Sequence, residues 1–344
     1  MWRRMAWAAL APFVAAALLL LHAGERAVGE GTEVTELRVG YVASLVNAPV
    51  VVGLARGHFQ EVLPGVRLEE HAFGAGPALV EALFAGAIDI AYLGPSPAVN
   101  AFIRSGGEAL RIVAGSSVGG SGFVAARGWN PQRAEDFFGR RVGTPQIGNT
   151  QDVSLRAYLA SLGVPAAAGE GGVHVVAVGG PELVGLFALG ALDGAWVPEP
   201  WLTRLLATGE GVLMLHEGDL PTAFVAVRPT LLARAPELVE RWLQVHLALC
   251  ALLNKGDDEA VALVAATFSE VWQQDVSEAE VREALSRLRF GWDVAEAGIQ
   301  ALADKAYAVG LIQGAPPDVS GIVDPRPLAR ALVLRDAGEG GGGN

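Results

Sequence analysis

Cysteine is nearly absent from this sequence, whose 344 residues contain a single one, Cys250. With one cysteine the chain cannot form an internal disulfide. Cys250 lies within an apolar helical pattern over residues 242–252, so we expect it to be a small buried hydrophobic residue. The length of the chain allows one large core or two modest ones, and it favours two lobes.

Positive charge is also scarce, since 25 lysines and arginines stand against 37 acidic residues and leave a net charge of −12. A surface of that sign disfavours nucleic acid and anionic lipid as partners. It does not exclude a small anionic ligand, because local N–H groups and one or two arginines decide the potential of a buried site.

Patterns typical of catalysis or metal binding are missing as well. The six histidines are scattered along the chain: His22, His58, His71, His174, His216 and His246. None has metal-ligand spacing, and none accompanies a nucleophile elbow. We therefore expect no enzymatic activity, no metal and no cofactor.

At the N-terminus, Arg3 and Arg4 precede an apolar run over residues 5–21. This pattern predicts a secretory signal over 1–23, followed by a linker over 24–36, and hence an exported, periplasmic or extracytoplasmic protein. A retained N-terminal membrane anchor is the alternative, because the uncharged run is close to the shorter limit for a membrane span. No cysteine near residue 20 could carry a lipid.

The most informative stretch is 139–156, which predicts a strand, a polar loop and a helix in succession. A short strand and a turn-rich loop lead to Thr150, where the helix begins. Backbone N–H groups and the positive end of the helix dipole then face one small space, which suits an anion. Asn149 stands where a nucleotide-binding P-loop requires lysine, and this disfavours a nucleotide. The alternative is that Gly148 and Asn149 only make a tight turn.

Similar loops end other predicted strands, at 74–77, 94–97, 115–121 and 198–201. Strands that alternate with short helices predict parallel sheets flanked by helices, with ligands at the carboxyl ends of the strands. For 94–97 the alternative is a rigid turn in which the hydroxyl of Ser96 binds no ligand. The region after Pro236 is predicted to be a helical packing layer, and the glycine-rich stretch 336–344 a flexible tail.

Two nearly identical predicted strands indicate the domain organisation. They are FVAAR at 123–127 and FVAVR at 224–228. If both cross between lobes, residues 37–127 and 223–335 form lobe I, and 128–222 form an inserted lobe II with a cleft between them. Coincidence between two strands rich in valine and alanine is the alternative.

Three motifs carry a resemblance to a known family: GAIDIAYLG at 86–94, TPQIGNTQD at 144–152 and GAWVPEPW at 194–201. Through them the chain resembles the extracytoplasmic solute-binding proteins of ABC importers, in the branch that takes up aliphatic sulfonates, taurine and nitrate. The resemblance extends from Leu37 to about Ala331. It implies an α/β, two-lobed periplasmic-binding-protein fold of type II, in which each lobe is a mostly parallel sheet flanked by helices and two strands cross between the lobes. It also implies closure on a ligand and delivery to a membrane permease.

The same resemblance implies a set of ligand-facing residues. Carried over by position, they are Asn47, Gly76, Ser96, Ser117, Gly120, Ser121, Gln146, Asn149, Thr150, Gln151, Glu199 and Trp201. Hydroxyls of Ser96, Ser121 and Thr150, with N–H groups of the glycine loops, would hold an oxyanion, and Trp201 would wall the organic tail. The alternatives are that Trp201 belongs to the core and that Glu199 is a carboxylate at a helix start.

The expected ligand of this resemblance is an aliphatic sulfonate or taurine, bound by a monomer. A lining Glu199 would suit a zwitterion such as taurine, or an amine, better than a bare inorganic anion. The alternatives are nitrate or bicarbonate, a pyrimidine precursor of thiamine, and a membrane-anchored ligand sensor in place of an import protein.

Overall fold

The structure of the protein is a computed structural model that describes residues 34–167 and 171–340. The predicted signal or anchor over 1–23 and most of the predicted linker lie outside these residues. Within the two described ranges, the helices are all too short or too polar to cross a membrane.

Strands and helices alternate through the first two thirds of the described chain. The strands are β1 (Glu36–Val42), β2 (Arg67–Phe73), β3 (Ile90–Leu93), β4 (Arg111–Gly119), β5 (Ser121–Ala126), β6 (Arg141–Thr144), β7 (His174–Ala177), β8 (Gly194–Pro198), β9 (Gly211–His216), β10 (Pro221–Val227) and β11 (Leu288–Phe290). The α-helices are α1 (Ala48–Ala55), α2 (His58–Val62), α3 (Gly76–Phe84), α4 (Pro95–Arg104), α5 (Thr150–Ser161), α6 (Gly180–Ala188), α7 (Trp201–Ala207), α8 (Pro229–Arg234), α9 (Pro236–Leu253), α10 (Asp258–Trp272), α11 (Glu278–Leu285), α12 (Glu296–Ala308) and α13 (Arg326–Gly340).

The strands form two mixed sheets, one in each lobe. The sheet of lobe I has the order β11-β4-β10-β3-β1-β2, and that of lobe II the order β7-β6-β8-β5-β9. β1 is parallel to β2 and β3, and β6 is parallel to β7 and β8, while β10 and β5 run antiparallel to their neighbours. β5 and β10 are the strands that enter each sheet from the other lobe, which reverses their direction. The predicted α/β fold of two lobes is confirmed.

The chain changes lobe at Gly120 and again between β9 and β10. The strands 123–127 and 224–228 therefore follow the crossings rather than make them, and β5 belongs to lobe II, not to lobe I as predicted. The predicted loop 115–121 is mostly strand, interrupted by Gly119 and Gly120 with φ of 80° and 66°. A side chain is disfavoured at Gly120 by this φ and because its Cβ would lie 2.3 Å from Cδ2 of Leu288.

Each sheet carries a hydrophobic cluster on both faces, as expected for strands covered by helices. In β3, Ile90 and Tyr92 belong to one cluster of lobe I, and Ala91 and Leu93 to the other. In lobe II, Phe123 belongs to one cluster and Val124 to the other. The near-continuous apolar strands of the sequence result from burial on both faces. The layer of C-terminal helices packs on lobe I.

A buried polar chain crosses the core of lobe I around His246. Its Nδ1 lies 3.2 Å from the hydroxyl of Tyr92, and its Nε2 lies 2.9 Å from the carbonyl oxygen of Gly115. Burial lowers the pKa of His246 to about 4. Cys250 is buried beside it, as expected, and burial raises the pKa of its thiol.

The last helix differs from the sequence prediction. α13 extends to Gly340, so the described part of the predicted flexible tail 336–344 is helical. The preceding residues are mostly alanine, leucine and arginine, which are strong helix formers. A helix that has formed over them can extend into glycine residues that would not start a helix by themselves.

Candidate functional site

A cavity of about 370 Å³ lies between the two lobes. Its walls come from the segments that follow β1, β2 and β3 in lobe I and β6, β7 and β8 in lobe II. These are the carboxyl ends of all six parallel-paired strands. Ligand sites of open α/β sheets form at this edge, because the loops there are free of ladder pairing and helices begin there.

Four helices point their N-termini at this cavity, two from each lobe. Residues lining it include Gly76 of α3, Gly94 just before α4, Thr150 of α5 and Gly180 of α6. The positive end of a helix dipole carries about half an elementary charge, so the four ends together create a positive potential between the lobes. In α3, α4 and α6 no side chain caps this end.

Three of the four helices also offer N–H groups. First-turn N–H groups have no carbonyl four residues back inside the helix, and this applies to Gly76, Thr150, Gln151 and Gly180. α4 differs, because prolines occupy its first and third positions and the N–H of Ser96 donates to Oγ1 of Thr150 at 3.4 Å. That bond leaves the hydroxyl proton of Thr150 free to donate to a ligand.

The start of α5 is built to hold its loop in place. Oδ1 of Asn149 accepts from the N–H of Asp152 at 2.8 Å, as a helix N-cap does. The buried carboxylate of Asp152 accepts from the N–H of Gly148 at 2.9 Å and from Nε of Arg156 at 3.0 Å. The loop that the sequence predicted to bind an anion is therefore held rigidly at the cavity wall.

Close backbone approaches require glycine on both sides of the cavity. A Cβ on Gly94 would lie 2.6 Å from Oγ1 of Thr150 in the opposite lobe. A Cβ on Gly180 would lie 2.0 Å from Cε2 of Trp201, so the indole packs directly on the first turn of α6. The lobes touch at the first of these contacts.

Two tryptophans, one from each lobe, form an aromatic wall of the cavity. Trp201 and Trp272 stack with ring centroids 6.3 Å apart and an interplanar angle of 25°. The guanidinium of Arg204 lies 5.1 Å from both centroids, and its Nε donates to Glu280 at 2.6 Å. With its amide oriented to accept from Arg204, Gln274 completes this wall.

Among the described residues, no Asp, Glu, Lys, Arg or His side chain lines the cavity. The positive charge that the described lining offers a ligand is therefore that of backbone dipoles and N–H groups. Oδ1 of Asn47 and Oγ of Ser96 are buried and have no hydrogen-bond partner within the described part of the chain. Nδ2 of Asn47 donates to the carbonyl of Val42 at 2.9 Å, which fixes the orientation of the amide.

Half of the sequence-predicted ligand residues line the cavity: Asn47, Gly76, Asn149, Thr150, Gln151 and Trp201. The other six do not line it: Ser96, Ser117, Gly120, Ser121, Gln146 and Glu199. The hydroxyl of Ser117 pairs with Thr222 at 3.0 Å, and that of Ser121 donates to Glu217 at 2.8 Å. Gly120 forms the first crossing between lobes, and the carbonyl of Gln146 accepts from the N–H of Asn149 at 3.3 Å. The positions of these residues in predicted loops did not distinguish the residues that line the cavity from those that do not.

Glu199 is fully buried and its carboxylate is already paired. Oε2 accepts from the N–H of Thr203 at 3.0 Å, and Oε1 contacts Arg287 at 3.1 Å. Burial raises the pKa of Glu199, against the opposing effects of these partners. Its position matches the alternative of a carboxylate at a helix start and gives no group to a ligand.

Several lining residues were not anticipated from the sequence. Ser44 donates to the carbonyl of Glu199 at 2.6 Å across the lobes, and Thr222 donates to that of Gly119 at 2.9 Å. Trp272 ends a helix in what the sequence indicated as a packing layer. No local pattern marks such positions, because they reach the cavity through tertiary packing.

A larger cavity, of about 680 Å³, lies on lobe I beside β11. Several of its polar side chains pair within the protein. The amide of Asn254 exchanges two hydrogen bonds with the backbone of Phe290, at 2.6 and 2.8 Å. Arg282 pairs with Asp258 and Arg289 with Asp219. Unlike this cavity, the cleft between the lobes gathers the carboxyl ends of the parallel strands and several helix starts, and it is the better candidate site.

Within residues 34–167 and 171–340, no three His, Cys, Asp or Glu side chains gather where they could hold a metal ion. The chemistry of the cleft is that of neutral hydrogen-bond donors and aromatic faces.

Comparison with known proteins agrees with this architecture. Residues 30–269 match the NMT1-like family. A binding protein of Brucella abortus (strain 2308) is 29% identical over 220 residues, which cover 61% of this chain and 64% of that protein. The taurine-binding periplasmic protein of Escherichia coli (strain K12) is 27% identical over 180 residues, 51% of this chain and 54% of that protein. The matches thus span less than two thirds of the length of these relatives.

The fold is also found in a solved structure of similar size. The alkanesulfonate-binding protein SsuA from Xanthomonas axonopodis pv. citri, bound to MOPS, superposes with a TM-score of 0.70 at 20% identity. The superposition covers 85% of this chain and 99% of that chain, and at such identity it shows the fold alone. The predicted resemblance to the sulfonate, taurine and nitrate branch of solute-binding proteins is confirmed. Since the family match spans more than half of the chain, the protein belongs to the NMT1-like family.

Proposed function

We propose that the protein is an exported solute-binding protein that captures a small organic anion in the cleft between its lobes and delivers it to the permease of an ABC importer. The observation that carries the proposal is the convergence of four helix N-termini on a cavity whose lining, as far as the structure describes the chain, has no charged side chain. Such a site favours one negative charge and gives a cation no counter-charge.

The ligand we propose is an aliphatic sulfonate or taurine, whose ammonium could donate to the neutral acceptor Oδ1 of Asn47 in the lining. A hydrogen bond to a charged group contributes roughly 1.5–3 kcal/mol. A few bonds from the first turns of α3, α5 and α6 could then give about −8 kcal/mol, a micromolar affinity, after the costs of association. The tryptophan wall supplies apolar contact for the organic part of the ligand.

The size of the cavity supports an organic ligand over an inorganic one. The cavity of about 370 Å³ is within the size range of sites for small organic molecules. Nitrate or bicarbonate would fill only a small part of this space and would leave the tryptophan wall without a contact. A pyrimidine precursor of thiamine is a second candidate, because its flat ring could stack on Trp201.

A thermal-shift screen tests the proposal. The purified protein is unfolded and refolded to remove bound ligand, then heated with taurine, ethanesulfonate, MOPS, nitrate, bicarbonate or an aminopyrimidine. A ligand that binds only the folded state raises the melting temperature by mass action. Ethyl methyl sulfone, a neutral compound close in shape to ethanesulfonate, is the matched control.

We expect shifts with the sulfonates and none with the neutral sulfone. A shift with the aminopyrimidine alone would replace the anion by a heterocycle as the ligand class. A retained membrane anchor and a signalling partner, in place of a permease, would instead indicate a ligand sensor. Fractionation of the producing cells tests that alternative, since an import protein without an anchor is expected in the soluble extracytoplasmic fraction.

A further inference from the structure

Glu217 lies in the second connection between the lobes, between β9 and β10, and the sequence gives it no recognisable motif. Its backbone N–H donates to the carbonyl of Ser121 at 2.9 Å. Its carboxylate oxygen Oε2 accepts from the hydroxyl of the same serine at 2.8 Å. Ser121 directly follows Gly120, at the first connection. Glu217 therefore ties the two connections between the lobes to each other.

The same carboxylate also holds two elements of lobe II. Oε1 accepts from the hydroxyl of Ser154 in α5 at 2.7 Å, and Oε2 accepts from Nε1 of Trp196 in β8 at 2.9 Å. Charge-assisted bonds of this length are about twice as strong as neutral ones. A single half-buried carboxylate thus joins both connections to α5, the helix whose first turn lines the cavity.

A fifth hydrogen bond continues from this cluster to the cavity wall. Nε2 of Gln151 donates to Oγ of Ser121 at 3.4 Å, and Gln151 lines the cavity. An ionised carboxylate can only accept, so the proton of Ser121 must point at Glu217. The serine oxygen then offers Gln151 a lone pair and no proton. The charge of Glu217 thereby fixes which end of the Gln151 amide faces the serine.

We infer that Glu217 is a positioning residue for ligand binding: it orients the Gln151 amide through Ser121. This inference rests on the proposed function only in that the cleft holds the ligand. Glu217 does not line the cavity and makes no contact with a bound molecule there. Its effect must therefore pass through Ser121 and Gln151.

The substitution Glu217→Gln keeps the shape of the side chain and removes its charge. Nε1 of Trp196 can only donate, so the introduced amide keeps its oxygen at Trp196 and Ser121 and turns its NH2 group to the hydroxyl of Ser154, which can accept. The bond that holds the proton of Ser121 away from Gln151 is then neutral and about half as strong. We expect the affinity for sulfonate, measured by isothermal titration calorimetry with taurine, ethanesulfonate and MOPS, to fall at least fivefold.

A double-mutant cycle separates positioning from a general loss of stability. In a Gln151→Ala background, Glu217→Gln should change the dissociation constant by less than twofold, because its route to the ligand is gone. The control Ser154→Ala breaks another bond of the same carboxylate off this route, and it should leave affinity within twofold of the unmodified protein. If Glu217→Gln fails to fold, Ser121→Ala tests the same route and should give the same loss.

Two results would overturn the inference: an unchanged affinity of Glu217→Gln, or a loss that is equally large in the Gln151→Ala background. If none of the three sulfonates binds the unmodified protein, the proposed ligand class fails. Amide hydrogen exchange without ligand then tests whether Glu217 positions residues 150–153. Exchange at residues 150–153 at least tenfold faster in Glu217→Gln, with β1 and β2 unchanged, supports the positioning role. Equal exchange at 150–153 contradicts it.

Discussion

The substitution Gly180→Ala tests whether the first turn of α6 and the indole of Trp201 form one surface of the ligand site. The added Cβ would lie 2.0 Å from Cε2 and 2.4 Å from Nε1 of the ring, far inside any real contact distance. The indole or the helix end must therefore move. Because Trp201 is stacked on Trp272 at 6.3 Å, its movement also disturbs the part of the wall that lobe I supplies.

The magnitude follows from the apolar contact that the displaced ring takes away from a ligand. A tryptophan buries about 150–250 Å² in all, and we take roughly a quarter of that area as facing the ligand. At about 25 cal/mol per Å² the loss is about 1–1.5 kcal/mol. Since about 1.4 kcal/mol is a factor of ten in affinity, Gly180→Ala should weaken ligand binding about tenfold.

A glycine in the same helix offers a matched control. A Cβ on Gly185 would meet no atom within 4 Å. Gly185→Ala should therefore stabilise the protein by about 0.5–1 kcal/mol, as alanine does in a helix interior, and should not change binding. Both variants are titrated calorimetrically with taurine, ethanesulfonate and MOPS, and their stability is followed by urea denaturation. A Gly180→Ala protein that binds as tightly as the Gly185→Ala control would refute this view of the wall.

Three further predictions concern the anion site, the buried carboxylate and pH. Replacing both Asn149 and Thr150 with alanine should leave the protein folded, by circular dichroism, and weaken sulfonate binding at least tenfold, whereas Ser161→Ala at the far end of α5 should bind normally. Glu199→Gln should lower the melting temperature yet change affinity less than threefold, because that carboxylate holds α7 and Arg287 rather than a ligand. A tenfold loss of affinity would instead show that Glu199 takes part in ligand binding. The pKa of His246 is lowered from 6.5 to about 4 by burial, so the folded state binds fewer protons than the unfolded state in this window. Stability should fall by about 2–3 kcal/mol as the pH drops from 7 to 4, and urea denaturation of a His246→Gln variant should lack that component.

The sequence predicted the fold well because its apolar segments and its glycine and proline loops indicate the same strands and helices. Apolar strands followed by glycine and proline loops are confirmed as parallel-paired strands with helices starting at their carboxyl ends. The loop at 144–149 is found at the cavity because the N-cap Asn149 and the first-turn Asp152 stabilise a helix start there, and both are local signals. Such local signals can be recognised in a single sequence without knowledge of the tertiary structure.

The supporting residues could not be predicted in the same way. Trp272 reaches the cavity only because α10 packs beside α7 across the lobes, and Glu217 gains its partners from three elements distant in sequence. The position of the lobe crossing was missed for a related reason. The sequence predicts a ligand loop at Gly119 and Gly120, whereas their positive φ angles and the crowding of Gly120 by Leu288 make them the point where the chain passes between sheets.

Amide chemical-shift perturbation in the NMR spectrum can show directly whether the N-termini of helices from both lobes hold the charged group of the ligand. Ethanesulfonate, taurine and MOPS are titrated separately. We expect the amide signals of Gly76, Thr150, Gln151 and Gly180 to move downfield together and to saturate with one dissociation constant. Shifts confined to the other cavity, around Asn254 and Phe290, or to the amides of one lobe alone, would contradict it.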